Sequence, residues 1–124
     1  MNVVLWIIAS VLAVAFLGAG GMKLAQPKEK LAASGMDWTE DFSDNSVKLI
    51  GALEVLGAIG LILPAALDVA PILVPFAALG LALTMAGAVI VHLRRQEIPM
   101  ITPSLVLLVL SAVVVWGRFG PYSF

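Results

Sequence analysis

The stretch VKLIGALEVLGAIGLILPAAL, residues Val47–Leu67, is the part of the sequence from which the fold follows. It is long enough to cross the ~30 Å hydrocarbon core of a bilayer as a helix. One carboxylate, Glu54, lies inside it, six residues beyond Lys48 and therefore about 9 Å deeper at the rise of a helix. Because a carboxylate in hydrocarbon is costly, the stretch predicts a membrane-spanning helix in which Glu54 has a specific role.

The rest of the chain has the same apolar character. Of its 124 residues, 61% are hydrophobic, and the mean hydropathy is +1.08. The apolar residues form blocks of membrane-spanning length, which predict four spans and one polar loop. The spans lie at about residues 3–22, 47–67, 71–93 and 100–116, and the loop at residues 25–46. The first block lacks the basic start of a signal peptide, so we expect it to be retained.

These blocks predict the architecture. We expect an all-α membrane protein with a single domain over residues 1–124, folded as a four-transmembrane-helix antiparallel bundle. Six of the seven basic residues fall on the side of the polar loop. They are Lys23, Lys28, Lys30, Lys48, Arg94 and Arg95. The positive-inside rule then places this side in the cytoplasm and both termini outside.

Several function classes are excluded by composition. The chain has no cysteine, so disulfides, thiolate metal sites and dithiol redox chemistry are absent. It has no basic patch with interleaved aromatic residues, so we expect no nucleic-acid partner. Nucleotide-binding and hydrolase motifs are missing. One histidine and one membrane glutamate are too few ligands for a metal site within one chain. We expect a protein that is not catalytic on its own.

Local signals predict where helices begin and end. Lys28–Ala33 has the composition of a short helix in the polar loop, which Gly35 would end. Pro64 ends or kinks the second span, and Pro71 suits the start of the third. N-cap candidates for the second span are Ser43, Asp44, Asn45 and Ser46.

Apolar side chains inside the polar loop predict that it is not fully solvated. We expect the loop to lie on the membrane surface as an anchor or to fold back over the bundle as a lid. These residues are Leu31, Met36, Trp38 and Phe42. The other side of the membrane has an aromatic cluster around Arg118, formed by Trp116, Phe119, Tyr122 and Phe124.

Small residues predict where helices pack closely. The glycines Gly18, Gly20 and Gly21 permit close approach at one end of the first span. On the second span Glu54 shares a face with small residues, because Gly51, Gly57 and Ala58 lie at i+3 and i+4 steps from it or from one another. In the fourth span Ser111 is the one deep hydroxyl, and it can bond back to its own helix.

The predicted topology places Lys23, Lys48, Glu54 and His92 in the same half of the bundle. On the third span His92 ends a stripe of small and polar residues, Gly80, Thr84, Ala88 and His92. Three interpretations stay open. The first is a structural lock, in which Glu54 pairs with Lys23 or His92, or is protonated. The second is a pocket for a lipid-soluble ligand such as a quinone. The third is a proton or cation relay for transport, which requires a homo-oligomer.

The sequence resembles the DoxX-like family of small four-helix membrane proteins. The resemblance runs through GGMKL at 20–24, IGALEVLGAIGLILP at 50–64 and GLALTMAGAVIVH at 80–92, and through a last span that ends at Arg118. Its most specific part is GxxExxGxxGLxxP, formed by Gly51, Glu54, Gly57, Gly60, Leu61 and Pro64. The resemblance implies a four-helix antiparallel bundle in a prokaryotic cell membrane. Relatives in the family resemble accessory membrane subunits of redox systems, and more distant ones act as trafficking receptors or assembly chaperones for other membrane proteins.

We therefore expect an integral membrane accessory subunit that binds a quinone-like or lipid ligand and serves a membrane redox partner. The expected ligand-binding residues are Glu54, His92, Lys23 and Thr84. No intrinsic cofactor is expected beyond a bound quinone or lipid, and the expected partners are the lipid bilayer, a membrane redox protein and further copies of the chain. The alternatives are an interaction or assembly factor in which Glu54 is structural, and a proton-coupled small-molecule transporter.

Overall fold

The computed structural model describes residues 2–33, 39 and 42–124. These residues form five helices and no strand. The helices are α1 (Asn2–Ala25), α2 (Lys28–Ala33), α3 (Asp44–Ala66), α4 (Leu73–Arg94) and α5 (Ile98–Phe119). The four long helices are long and apolar enough to cross a membrane, which confirms the predicted all-α, four-span architecture. Lys28–Ala33 is the short helix that its composition predicts.

The long helices pack as a ring. Helix α1 contacts α3, α3 contacts α4, α4 contacts α5, and α5 returns to α1. Consecutive long helices are antiparallel. The last turns of α1 and α4 and the first turns of α3 and α5 therefore share one end, which we call the loop end. The opposite end, where α5 finishes beside the start of α1, we call the aromatic end.

Helix termini follow the predicted signals in part. Ser43 caps α3, and its Oγ accepts a hydrogen bond of 3.1 Å from the backbone N–H of Ser46. Pro64 does not end α3, which continues to Ala66. Pro71 lies in a turn, and α4 begins only at Leu73, because Ala70 at φ 47° is in the left-handed region and delays the helix.

The described part of the polar loop is not fully solvated, as predicted. Leu31 and Thr39 are fully buried, and Phe42 contributes to a cavity inside the bundle. Gly35, Met36 and Trp38 lie outside the described residues. The alternatives of anchor and lid therefore stay predictions.

The bundle core is narrow and apolar. It is built from side chains of all four long helices, including Leu12, Phe16, Leu61, Leu81 and Val114. Most of the remaining large apolar side chains are on the outside of the bundle, where a bilayer would cover them. Ser111 is fully buried, but its hydroxyl has no hydrogen-bond partner among the described residues. The expected bond to its own helix backbone is absent.

Helices α1 and α3 cross with their backbones in contact. A Cβ atom added to Gly20 would lie 2.7 Å from the carbonyl oxygen of Gly51, and one added to Gly51 would lie 2.8 Å from Cβ of Lys23. Gly18 and Gly21 have nothing within 4 Å of such an atom. The prediction of close helix approach therefore holds for Gly20 and is wrong for its two neighbours, which point away from the bundle.

At the aromatic end Arg118 is almost fully buried. Its Nη1 donates to Oδ1 of Asn2 at 2.6 Å and to the carbonyl oxygen of Tyr122 at 2.9 Å. The guanidinium carbon lies 3.9 Å from the centre of the Phe124 ring. That ring meets Trp6 edge-on at 5.9 Å. The cluster ties the segment after α5 to the first turns of α1.

Candidate functional site

A cavity of about 460 Å³ lies inside the loop end of the bundle. All four long helices contribute to its wall, and most of the wall is apolar. The apolar lining includes Phe16, Ala19, Ile50, Met85, Ala88 and Leu107. The polar lining consists of Lys23, Glu54, Thr84, His92 and Ser104. All four residues predicted as ligand-binding thus face one cavity; ligand binding by them stays a prediction.

Glu54 and Lys23 form a buried ion pair. The Nζ atom of Lys23 donates to Oε1 of Glu54, and the two residues are 6% and 1% exposed. Of the structural partners predicted for Glu54, the structure selects Lys23 and not His92. Charged side chains inside a membrane-spanning helix are costly unless they pair with an opposite charge. Lys23 and Glu54 meet this condition because each neutralises the other.

The glycine contact explains why the pair forms. Lys23 lies three residues after Gly20 on α1, and Glu54 lies three residues after Gly51 on α3. Residues three apart share a helix face, so the face that makes each backbone contact also carries one charged side chain. Close approach of the two backbones brings the ammonium onto the carboxylate.

Lys48 does not line the cavity. Its Nζ donates to three carbonyl oxygens at the end of α1: those of Lys23 at 2.8 Å, Leu24 at 3.0 Å and Gln26 at 2.6 Å. The last carbonyls of a helix have no partner within the helix, and a cation near them is favourable. Lys48 therefore caps the C-terminal end of α1, whereas Lys23 lines the cavity.

His92 is oriented by Glu97, which was not predicted as a site residue. Its Nδ1 lies 3.1 Å from Oε1 of Glu97. Glu97 reaches this position because α4 ends in a Schellman motif: the N–H of Glu97 donates to the carbonyl of His92 at 2.9 Å, and that of Gln96 to the carbonyl of Leu93 at 3.1 Å. Gln96 supplies the left-handed residue, with φ 57°. A glycine at that position would have marked the motif in the sequence, and none is present.

Thr84 and Ser104 contribute hydroxyls to the cavity wall. The Thr84 hydroxyl donates to the carbonyl oxygen of Gly80 at 2.9 Å, so its oxygen remains only as an acceptor. Ser104 is 8% exposed and has no hydrogen-bond partner among the described residues. Sequence reasoning missed Ser104. Its position in the sequence could have identified it, because Ser104 lies one turn into the predicted fourth span, on the same side of the membrane as Lys23, Glu54 and His92.

The sequence profile of the DoxX-like family matches residues 7–114. The chain belongs to the DoxX-like family. The match includes most of each long helix and the whole cavity wall. Among proteins of curated function none matches the chain significantly, and no solved structure does so either. Family and fold together establish a small multi-pass membrane protein.

The chemistry open to this DoxX-like protein follows from its cavity wall. Among residues 2–33, 39 and 42–124, no three histidine or acidic side chains group closely enough to hold a metal ion. The polar groups are a neutralised ion pair, an imidazole and two hydroxyls. Such groups bind and orient a polar headgroup by hydrogen bonds, while the apolar wall accommodates rings or hydrocarbon.

Proposed function

We propose that this DoxX-like protein binds one quinone-like or lipid ligand in the loop-end cavity and serves a membrane redox protein as an accessory subunit. The observation that carries the proposal is the cavity itself. Its volume of about 460 Å³ falls within the ~300–1,000 Å³ typical of small-molecule sites. A few polar groups converge on an otherwise apolar wall, which is the usual composition of such sites.

The polar wall suits the headgroup of a lipid-soluble molecule. Lys23 and His92 lie in the last turns of α1 and α4, at the loop end, and Glu54 and Thr84 lie deeper, near the middle of α3 and α4. A headgroup beside Lys23 and His92 would sit near the membrane surface. The core side of the cavity is lined by residues such as Phe16, Met85 and Leu107. A ring or a hydrocarbon chain placed there would remove apolar surface from contact with water.

An accessory role accords with the chemistry that the chain has. It contains no cysteine, and so no thiol or dithiol that could carry electrons. Electron transfer would therefore involve a bound quinone or a partner protein. We further propose a prokaryotic cell membrane, as the resemblance to the DoxX-like family implies. The loop end would face the cytoplasm and both termini the outside, because the basic residues are concentrated at the loop end.

The first test fills the cavity. Ala19 lines the cavity. The preceding residue, Gly18, faces away from the bundle, and a Cβ atom added to it would have nothing within 4 Å. Ala19→Leu adds three carbon atoms inside the cavity, and Gly18→Leu adds a larger side chain to the outer face as a matched control. The proteins are extracted gently from their own membrane and studied by native mass spectrometry. We expect wild type and Gly18→Leu to retain one small molecule, and Ala19→Leu to lose it. Retention of the same molecule by Ala19→Leu would contradict the proposal.

A second function is favoured by the Lys23–Glu54 pair. If the pair serves only to fix the packing of α1 on α3, the protein acts as an interaction or assembly factor for other membrane proteins. In that case a partner protein and no small molecule is retained on extraction. Glu54→Gln cannot separate the two functions, because loss of the ion pair lowers stability under both. The cavity-filling variant separates them, since it leaves the pair in place.

A further inference from the structure

Two polar groups of the cavity wall have no hydrogen-bond partner among the described residues: Nε2 of His92 and the hydroxyl of Ser104. Both residues are more than nine-tenths buried, at 5% and 8% exposed, and both line the cavity. The other polar groups of the wall are engaged, since Lys23 pairs with Glu54 and Thr84 donates to Gly80.

The contact of His92 with Glu97 assigns the role of Nε2. Arg95 lies with its Nε 3.3 Å from Oε1 of Glu97, which favours a carboxylate at that position. A carboxylate only accepts hydrogen bonds, so Nδ1 of His92 carries the proton of this contact. In the neutral ring Nε2 is then a lone-pair acceptor directed by Glu97. The ligand group that satisfies it is a donor, such as a hydroxyl.

The charges of the cavity exclude a charged headgroup. Lys23 and Glu54 neutralise each other, and Glu97 is engaged by His92 and Arg95. A ligand with a net charge would bring an uncompensated ion into an apolar site, which is costly. The fitting headgroup is therefore neutral and has a hydroxyl.

The cavity also has an exit for a hydrocarbon chain. Leu53 and Thr84 belong both to its wall and to a groove of about 440 Å³ between α3 and α4. Gly57, Gly60 and Gly80 lie along the groove, and a Cβ atom added to Gly80 would have nothing within 4 Å. At the junction Leu53 is 51% exposed and Leu83 is 66% exposed, on the outer surface of the bundle. A chain attached to a headgroup in the cavity can pass between α3 and α4 and lie in the groove against lipid.

We propose that the ligand is a neutral amphiphile that bears a hydroxyl group, which donates to Nε2 of His92 beside Ser104, while its chain lies in the α3–α4 groove. Glu97 is the positioning residue that presents Nε2 as an acceptor. This rests on the proposed function and names the ligand class for the same site. A quinol and a diacylglycerol both have this chemistry, whereas the oxidised quinone has no hydroxyl on its ring.

The test compares a hydroquinone with its ether. The full chain in bicelles is titrated under anaerobic conditions with decylhydroquinone and with its dimethyl ether, which keeps the ring and chain but has no donor. We expect the hydroquinone to bind about fivefold more tightly, the ratio that one net hydrogen bond of ~1 kcal/mol gives. His92→Phe should abolish this preference and leave ether binding within twofold. His92→Gln, which keeps an acceptor, should retain part of it.

Glu97→Leu tests the positioning role. It frees the imidazole to adopt the tautomer with a proton on Nε2, so the preference for the hydroquinone should fall to about twofold or less while ether affinity stays constant. Glu29→Leu, at an exposed acid of α2, is the control and should keep the wild-type ratio. A purely structural role of Glu97 would weaken both compounds equally and would contradict the inference.

The outcomes separate this inference from the proposed function. Equal binding of hydroquinone and ether by wild type overturns the hydroxyl contact and leaves the cavity as a ligand site. Binding of neither compound, and no binding of dioctanoylglycerol, overturns both. Displacement of the hydroquinone by dioctanoylglycerol supports the hydroxyl contact and assigns it to a lipid alcohol. Failure of dioctanoylglycerol to displace it supports the same contact and assigns it to a phenol.

Discussion

Two buried basic residues lie in the last turns of helices at opposite ends of the bundle. Lys23, near the end of α1, pairs with the carboxylate of Glu54 beside a cavity. Arg118, near the end of α5, is just as buried, but its partners are an amide oxygen of Asn2, the carbonyl of Tyr122 and the ring of Phe124. One cation is held by a charge and the other by dipoles and an aromatic face.

The difference follows from the chemistry of the two side chains. An ammonium is a compact and strongly hydrated charge, so its burial needs an anion in close contact. A guanidinium is planar, delocalised and more weakly hydrated, and it can bond several neutral acceptors while stacking on a ring. The aromatic end is thus closed by side chains around Arg118. The loop end instead contains a charge pair with free space beside it, which is why we place the ligand there.

Removal of the Glu54 carboxylate should have the largest effect. Glu54→Met takes the anion from Lys23 and should lower the free energy of unfolding by about 3–5 kcal/mol, the cost of breaking a buried ion pair on one side. The measurement is equilibrium unfolding by SDS in mixed micelles.

The double variant Lys23→Met with Glu54→Met is the control for Glu54→Met. Replacement of both charges by apolar side chains of similar size is often neutral or stabilising. We therefore expect the double variant to recover most of the lost stability. A double variant as unstable as Glu54→Met alone would show that packing around residue 54, rather than charge, holds this end.

The sequence was a good guide to the loop end because its signals are local. A carboxylate in an apolar span marked Glu54, and helical spacing placed it on the small face with Gly51. The alternating directions of the spans placed Lys23 and His92 in the same half, because each ends a span that runs towards the loop end. The sequence did not predict Glu97, because its position depends on a Schellman turn in which Gln96 replaces the usual glycine.

Other parts of the fold depend on rotation of helices about their axes, which spacing alone does not fix. The sequence does not show which of the three glycines near the end of α1 packs against another helix. In the structure only Gly20 faces α3. Likewise the hydroxyl of Ser111 could have bonded to its own helix, but it does not. In both cases the contact depends on the residues of the facing helix, and the local sequence does not show which residues these are.

The second-largest loss of stability is expected at the backbone contact between Gly20 and Gly51, which brings Lys23 to Glu54. Gly51→Ala places a methyl group 2.8 Å from Cβ of Lys23 and 2.9 Å from the carbonyl oxygen of Gly20, so α1 and α3 must move apart. We expect a loss of about 1–3 kcal/mol from overpacking, measured by the same SDS titration. Gly18→Ala is the matched control and should be neutral or slightly stabilising, because alanine favours the helix and meets nothing there. Equal effects of the two variants would contradict the proposed crossing point.

The smallest effect should be at the aromatic end. Arg118→Met removes hydrogen bonds to neutral acceptors and a cation–π contact, and it leaves no buried ion without a counterion. We expect a loss of about 1–2 kcal/mol in the SDS titration, with Arg94→Met, at an exposed position of α4, within about 0.5 kcal/mol of wild type.

Arg118→Lys sharpens the comparison further. It keeps the positive charge but replaces the planar guanidinium and its several N–H donors by an ammonium. The partners of Arg118 are all neutral, so they cannot neutralise the charge of that ammonium. If the two cations differ for the reason given above, Arg118→Lys should be at least as destabilising as Arg118→Met, although it is the more conservative change. A lysine at 118 that restored wild-type stability would mean that charge alone is required at this end, and the contrast with Lys23 would lose its chemical basis.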